Sequence, residues 1–326
     1  MFFVKGKRRP YKRIRRREHN SKKVYWHFHK RHTTKIERYG FIKKFSHIFA
    51  VVKLCQVLEV SKSGFYDWKK RQSSPRTKYN QLLVSLIKEI HHDSNSIYGS
   101  PRIHKEIERK GYRCSRRLVE KLMRVSNIRS KTKRKSNIST TNSVHELAIS
   151  PNRLKRNFTV PKPGTVFCSD FTYIPIKSKH YFLVVIIDLF NREIVSWNLS
   201  DHQQTSSLMK CFREAVKKDI HKENCIFHSD RGGQYASNEF RMALNLAKMK
   251  QSMSRSGDCW DNAVVESFFK TLKNEFIKWQ KFETLEEAKH KIFNYIEIFY
   301  NRKRLHSTLD FTSPMEFRKI YDQRIA

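Results

Sequence analysis

The sequence predicts a mixed α/β domain, in which a sheet is flanked by helices, preceded by a small all-α region. The second half of the chain alternates between apolar segments of strand length and amphipathic segments of helix length. In the first half, apolar residues recur at three- and four-residue steps, as they do on one face of a helix. Hydrophobic residues make up 38% and aromatic residues 13% of the 326 positions, which is enough to bury a core and to exclude wholesale disorder.

The charge of the chain is strongly positive and unevenly distributed. Lys and Arg total 68 against 30 Asp and Glu, which gives a formal net charge of +38. Residues 1–160 carry a net charge of +32, whereas residues 161–326 carry only +6. A field of this sign favours a polyanionic partner, and nucleic acid is our prediction. A ribosomal-type protein and attraction to a membrane surface are the alternatives.

Membrane insertion and secretion are not expected. The longest apolar run, residues 181–187, has the length of a strand and not of a membrane span. The N-terminus is basic and has no apolar signal region. The six cysteines lie far apart and include no Cys-x-x-Cys pair, which indicates reduced thiols in a cytoplasm.

The first half is predicted to contain a basic arm over residues 1–45, a helical region over 46–135 and a basic linker over 136–160. Within the helical region, Gly111 separates two short predicted helices, and Ser115 is a suitable cap for the second. This pattern is typical of a helix-turn-helix, although an ordinary helical hairpin with a basic face has the same pattern. The second helix carries four basic residues that we predict contact DNA, namely Arg116, Arg117, Lys121 and Arg124.

The second half is predicted to form the mixed sheet over residues 161–285, followed by a helical region over 286–326. Predicted strands cover 166–174, 181–189, 194–199, 226–228 and 251–254. Predicted helices cover 206–217, 238–248, 263–279 and 285–300.

Three acidic residues lie where this sheet would bring distant segments together. Asp170 lies in the first strand, Asp230 follows the fourth, and Glu266 lies on the next long helix. Because 59 residues separate the aspartates and 35 separate Asp230 from Glu266, only the fold can gather them. Carboxylates suit hard cations such as Mg²⁺ or Mn²⁺, and two ions about 3.5–4 Å apart support phosphodiester chemistry.

The predicted helix around Glu266 carries polar residues along one stripe. At 100° per residue, Asn262, Glu266, Lys270 and Lys273 fall close together, and we predict that the amide and the two lysines contact DNA. Pairing of Lys270 with Glu266 is the alternative.

Several extended blocks resemble the second-frame transposases of insertion sequences of the three family, within the integrase (Asp-Asp-Glu) superfamily. The catalytic blocks are FCSDFTYI at 167–174, HSDRGGQY at 228–235 and SMSRSGDCWDNAVVESFFKTLK at 252–273. LEVSKSGFY at 58–66 and YGSPRI at 98–103 resemble the DNA-binding half, and YNRKRLHSTL at 300–309 resembles the C-terminal signature. Phe167 and Phe171 stand where the family pattern has Trp and Ile, so both positions stay apolar.

The resemblance implies an RNase H-like core in which Asp170, Asp230 and Glu266 hold two Mg²⁺ or Mn²⁺ ions, with Lys273 against the DNA of the transposon end. It implies hydrolysis that exposes a 3′-hydroxyl, and attack of that hydroxyl on another phosphodiester. The expected partners are double-stranded DNA, at the transposon ends and the target, and further copies of the chain. The expected location is the bacterial cytoplasm, in association with the nucleoid. The chain acts either alone or fused to the first-frame product.

Other residues near these blocks have two interpretations each. Asp188 is either a supporting group of the site or the former of a turn at a strand end. Asp258 and Asp261 are predicted as helix caps. His228 either positions Asp230 or packs within its strand, and His306 serves either the C-terminal hairpin or DNA.

Overall fold

The computed structural model describes residues 34–72, 74–131, 147–255 and 259–325. The chain divides into two compact units, of which the first ends at Gln81 and the second begins at Leu82. Among the described residues, no helix combines the length and apolar character needed to cross a bilayer.

The first unit contains helices α1 (Lys35–Phe45), α2 (Val51–Val57) and α3 (Lys62–Lys70). Ser61 caps α3 by accepting a hydrogen bond from the Gly64 N–H. The prediction of a basic arm was wrong for residues 35–45, because a capping box between Thr34 and Glu37 begins α1 and Ile42 is fully buried. Residues 1–33, including the rest of that arm, lie outside the described residues. The buried apolar core consists of Ile42, Leu54, Cys55, Leu58 and Phe65.

A helix-turn-helix is formed by α5 (Ser100–Arg109) and α6 (Arg116–Val125), which follow the long helix α4 (Pro75–Asp93). Gly111 lies in the left-handed region with φ of 83°, and the Ser115 hydroxyl caps α6 by accepting from the Leu118 N–H. The N-cap of α5 is Gly99, and Ser100 is the first residue of the helix.

The sheet has five strands in the order β3-β2-β1-β4-β5. Strand β1 (Val166–Ile176) pairs antiparallel with β2 (Lys179–Asp188), which pairs antiparallel with β3 (Ile194–Ser200). On its other edge β1 pairs parallel with β4 (Ile226–Ser229), which pairs parallel with β5 (Lys250–Met253). This topology is RNase H-like, and the predicted fold class is confirmed.

Helices cover the sheet and extend to the C-terminus. Helix α7 (Thr205–Lys217) follows β3, and α8 (Gly233–Ala236) and α9 (Asn238–Leu246) connect β4 to β5. Helix α10 (Ala263–Glu275) packs on β1 and ends four residues earlier than predicted. Beyond it lie α11 (Leu285–Phe293), a π-helical segment (Asn294–Tyr300) and α12 (Pro314–Ile325). Helix α12 lies within the region predicted to be helical over 286–326, although no separate helix was predicted for it.

The helix-turn-helix shares a hydrophobic core with the sheet. Apolar residues of α4, α5 and α6, such as Leu83, Ile107 and Met123, belong to the same buried cluster as Cys168 and Leu272. We predicted one helical region over 46–135, separate from the sheet, but residues from Leu82 onward lie in the sheet's unit. The reason is that these helices bury their apolar faces in the same cluster as one face of the sheet.

The predicted linker also contacts the core where the structure describes it. The Ser150 hydroxyl donates to the Gln251 side chain at 2.7 Å, and the Arg153 N–H donates to the Ser252 hydroxyl at 2.9 Å. Residues 150–154 therefore run along β5, whereas residues 132–146 lie outside the described residues.

Candidate active site

Asp170 and Asp230 lie on neighbouring parallel strands. Cys168 of β1 pairs with His228 of β4, and each aspartate follows its strand's paired residue by two positions. Neighbouring strands are about 4.8 Å apart, so this register brings the two aspartates side by side. Both side chains are half-buried, and Asp170 Oδ1 accepts a hydrogen bond from the Phe171 N–H at 2.8 Å.

The chain turns sharply after Asp230. Asp230 Oδ1 accepts a hydrogen bond from the Gly232 N–H at 3.0 Å, which holds the carboxylate over the turn. A Cβ at position 232 would lie 2.8 Å from Gln234 Oε1 and 3.1 Å from Asp230 Oδ1. A Cβ at this position would therefore displace the ends of these two side chains, one of which is the Asp230 carboxylate.

Glu266 lies in the first turn of α10, with an exposed side chain. Helix α10 packs on β1, and the charge of Glu266 acts on Asp170. Loss of surrounding water raises the pKa of Glu266 above its ordinary value.

Electrostatic interactions join the three acids. Burial raises the pKa of Asp170 well above its ordinary range, and the charges of Asp230 and Glu266 raise it further. The Phe171 N–H and the Lys273 ammonium oppose this rise. Mutual repulsion of this kind is relieved by a cation, and the donor set consists of oxygen atoms, as Mg²⁺ prefers. The residues therefore fit a hard divalent cation.

Within the described ranges, however, no three Asp, Glu, His or Cys side chains stand close enough together to form a complete metal-binding group. The gathering of the three acids around shared ions therefore stays a prediction.

A tyrosine, a serine and an asparagine support β1 beside Asp170. The Ser169 hydroxyl and the Tyr235 hydroxyl lie 2.8 Å apart, and Tyr235 is 1% exposed. Asn262 Nδ2 donates to the Ser169 carbonyl at 3.4 Å, which ties the start of α10 to β1. The roles of Ser169 and Tyr235 were not predicted from the sequence, although both residues lie inside the catalytic blocks.

The predicted polar stripe is only partly present. Asn262 lies in a 3₁₀ turn (Cys259–Asn262) and is 5% exposed, so its prediction as a DNA contact was wrong in this structure. The stripe was predicted at 100° per residue, as in an α-helix, and Asn262 lies in a 3₁₀ turn that does not follow this angle. Lys270 is exposed, and Lys273 is half-buried and within electrostatic reach of Asp170.

Asp261 holds the segment that precedes α10. Its buried carboxylate accepts hydrogen bonds from the Arg255 backbone and guanidinium, the Arg156 guanidinium and the Asn152 amide, at 2.8–3.1 Å. These donors hold the pKa of Asp261 well below its usual range. Its prediction as a helix cap was wrong, because arginines from outside the helix occupy both carboxylate oxygens. Asp258 lies outside the described residues.

The remaining ambiguous residues have structural contacts. His228 is fully buried, with hydroxyls of Ser252 at 2.8 Å and Ser254 at 3.3 Å from its ring nitrogens, so it packs within its strand. Asp188 accepts hydrogen bonds from the Gly164 and Phe190 N–H groups and forms the turn after β2.

On α6, the four residues predicted to contact DNA are all exposed, namely Arg116, Arg117, Lys121 and Arg124. The Arg124 guanidinium lies 3.6 Å from Glu120 on the same helix. The five cysteines whose side chains the structure describes are unpaired thiols.

Known families match most of the second unit. The integrase core domain matches residues 160–259, a second integrase core domain matches 266–320, and the HTH-like domain matches 78–136. The transposase InsF for insertion sequence IS3A of Escherichia coli is 34% identical over 282 residues, which cover 86% of this chain and 98% of that protein.

Two further relatives are similar over most of their length. The transposase for insertion sequence element IS904 of Lactococcus lactis is 37% identical, covering 76% of this chain and 98% of that protein. The insertion element IS600 31 kDa protein of Shigella sonnei is 37% identical, and the match covers 84% of this chain and 100% of that protein.

The solved structures to which the chain is similar include an intasome and an integrase catalytic core domain. The simian T-cell lymphotropic virus intasome in complex with PP2A regulatory subunit B56 gamma has a TM-score of 0.42 at 14% identity, over 71% of this chain and 73% of that chain. The HTLV-2 integrase catalytic core domain in complex with magnesium has a TM-score of 0.38 at 15% identity, over 48% of this chain and 97% of that chain.

The fold and the matching families define an integrase-core protein with a helix-turn-helix. Within that class, the chain belongs to the second-frame transposases of IS3-type insertion sequences.

Proposed function

We propose that this chain binds the terminal inverted repeats of an insertion sequence and catalyses cleavage at the 3′ ends followed by strand transfer. The proposal is supported by the neighbouring strands β1 and β4, which carry Asp170 and lead to Asp230, and by the charges of Asp230 and Glu266 that act on Asp170. Family membership supports the same reaction class.

In this proposal, the three carboxylates hold two Mg²⁺ or Mn²⁺ ions. When bound, such ions supply activation of the attacking oxygen and stabilisation of the leaving oxygen. Asp170 and Asp230 are oriented by the N–H groups of Phe171 and Gly232, each of which donates to one carboxylate oxygen. Lys273 adds positive charge beside Asp170, where it would attract a DNA phosphate.

The proposed reaction has two steps at phosphorus. Water attacks a phosphodiester at the transposon end, and the bond to the 3′ oxygen breaks to release a 3′-hydroxyl. That hydroxyl then attacks a target phosphodiester, which forms a new bond to phosphorus and releases a target 3′-hydroxyl. An element has two ends, so we propose that more than one copy of the chain assembles on DNA, alone or fused to the first-frame product.

The test is an assay of strand transfer with labelled duplexes that carry the terminal repeats found beside the gene. The proposal predicts cleaved ends and joined products, both dependent on added Mg²⁺ or Mn²⁺. A DNA-binding regulator would shift the mobility of the duplex and cut nothing. An RNase H-like nuclease would cut without joining, and either result would overturn the proposal.

A further inference from the structure

A cavity of about 280 Å³ lies between α10 and the C-terminal segment, and its lining does not include the three proposed catalytic acids. Its α10 residues include Ser267 and Thr271, which lie on a different face of the helix from Glu266 and Lys270. Ser267, Ser307 and Thr308 are exposed. The cavity is therefore reachable from solvent, and none of the three acids lines it.

Three arginines line this cavity. Arg102 comes from α5, Arg192 from the turn before β3, and Arg304 from the C-terminal signature. Of the described residues that line the cavity, none is acidic. Glu275 accepts hydrogen bonds from Arg102 and Arg304 from outside the lining, so it offsets one of the three charges.

One of these guanidiniums has an unsatisfied nitrogen. Arg192 Nη2 donates to the Phe158 carbonyl at 3.0 Å, whereas the buried Nη1 has no hydrogen-bond partner among the described residues. A buried donor of this kind costs free energy, and an anion would satisfy it.

All three arginines act electrostatically on His306, which also lines the cavity. Burial and the charges of Arg304, Arg102 and Arg192 lower the pKa of His306 to about 2. The histidine is therefore neutral at physiological pH, and the cavity keeps an excess of positive charge from the arginines alone.

We propose that this cavity binds a phosphate group, carried either by a free polyphosphate or nucleotide or by an oligonucleotide. Guanidiniums recognise phosphate through paired hydrogen bonds, and the hydroxyls of Ser267, Thr271, Ser307 and Thr308 supply further polar contacts. The site would hold its ligand by positive charge without metal ions, unlike the acidic site.

The test is calorimetric titration of the full-length protein with sodium pyrophosphate in EDTA, which keeps divalent ions away from the acids. We expect saturable binding that Arg192→Gln weakens at least tenfold. Arg213→Gln removes the same charge from an exposed position on α7 and should change the affinity less than twofold. Equal weakening in both variants would overturn the proposal, because general charge attraction would then explain the binding.

Because Arg192 also donates to the Phe158 carbonyl, its substitution could weaken binding by destabilising the fold. A second variant therefore tests the cavity without changing Arg192. Ser267→Ala combined with Thr308→Val keeps every arginine and should weaken binding between about threefold and thirtyfold, since it removes two hydrogen bonds. Unchanged thermal unfolding would show that the variant is folded. Unchanged affinity in this variant and in Arg192→Gln would refute the site.

The source of the phosphate is decided by two further ligands. A single-stranded oligonucleotide with a 5′-phosphate and the same strand with a 5′-hydroxyl are titrated against wild type and Arg192→Gln. Arginine-dependent binding of pyrophosphate alone indicates a free phosphate ligand, and arginine-dependent binding of the oligonucleotides indicates DNA. If no ligand distinguishes wild type from the variant, the cavity binds no phosphate. These readouts do not depend on cleavage or joining.

Discussion

The Arg304 guanidinium donates to both carboxylate oxygens of Glu275, each at 2.7 Å. Arg102 donates to the same carboxylate at 3.3 Å, and the Tyr295 hydroxyl at 3.1 Å. Glu275 ends the helix that carries Glu266, Arg102 belongs to the YGSPRI block, and Arg304 belongs to the C-terminal signature. Three blocks that are distant in the chain therefore meet at one buried carboxylate.

Removal of the Glu275 carboxylate should destabilise the protein severely. Glu275→Leu leaves Arg304, which is 6% exposed, without its counter-ion, and the expected loss is roughly 3–5 kcal/mol of unfolding free energy. Urea denaturation followed by circular dichroism measures it. The double variant Glu275→Leu/Arg304→Leu should recover part of the lost unfolding free energy. A loss below about 1 kcal/mol in Glu275→Leu alone would contradict a buried pair whose two charges depend on each other.

Glu266→Gln should abolish cleavage and joining and leave DNA binding nearly intact. The amide keeps the size of the side chain but loses the charge that a divalent ion requires, so we expect at least about a thousandfold lower rate. Glu239→Gln changes an exposed glutamate on α9 and is the matched control. Equal loss of affinity for the terminal duplex in a mobility-shift assay would count against a role restricted to metal binding.

The two lysines of α10 should differ in their effect on catalysis. Lys273 lies within electrostatic reach of Asp170, whereas Lys270 is exposed. Lys273→Ala should therefore lower the rate of cleavage by about a hundredfold and Lys270→Ala by much less. Single-turnover rates at saturating protein separate this effect from weaker binding. A larger effect of Lys270→Ala would reverse the assignment.

DNA binding should weaken steeply with salt. Each phosphate contact releases counter-ions, so Arg117→Ala on α6 should reduce the slope of log affinity against log salt concentration by about 1. Arg213→Ala on α7 removes the same charge and should leave the slope unchanged if α6 contacts DNA. Fluorescence anisotropy at several salt concentrations measures both. Identical slopes for the two variants would argue against α6 as a DNA contact.

Stability should fall on mild acidification because of His228. Burial lowers the pKa of His228 to about 4, whereas an unfolded histidine has a pKa near 6.5. Its contribution is therefore complete above about pH 6.5 and is lost progressively toward pH 4, by up to roughly 3 kcal/mol. His228→Gln should flatten the dependence of unfolding free energy on pH over this window. An unchanged pH profile in the variant would assign the dependence to other groups.

Much of this protein was determined by its sequence. The order of strands and helices follows from apolar periodicity, and Gly111 and Ser115 specify their turn and cap through local backbone preferences. The three acids were predicted as metal ligands because each lies in an extended block that resembles the family's catalytic blocks, and this assignment stays a prediction. Local patterns of this kind carry their information within a few neighbouring residues.

Tertiary structure decided what depends on contacts between distant segments. The Asn262 amide donates to the Ser169 carbonyl, and the Tyr235 hydroxyl contacts the Ser169 hydroxyl beside Asp170. The Asp261 carboxylate forms ion pairs with two arginines. Tertiary structure also joined the helix-turn-helix to the core of the sheet and brought Arg102, Arg192 and Arg304 around one cavity. Such contacts join residues up to two hundred positions apart, and periodicity within one segment cannot specify which buried partner a polar side chain will meet.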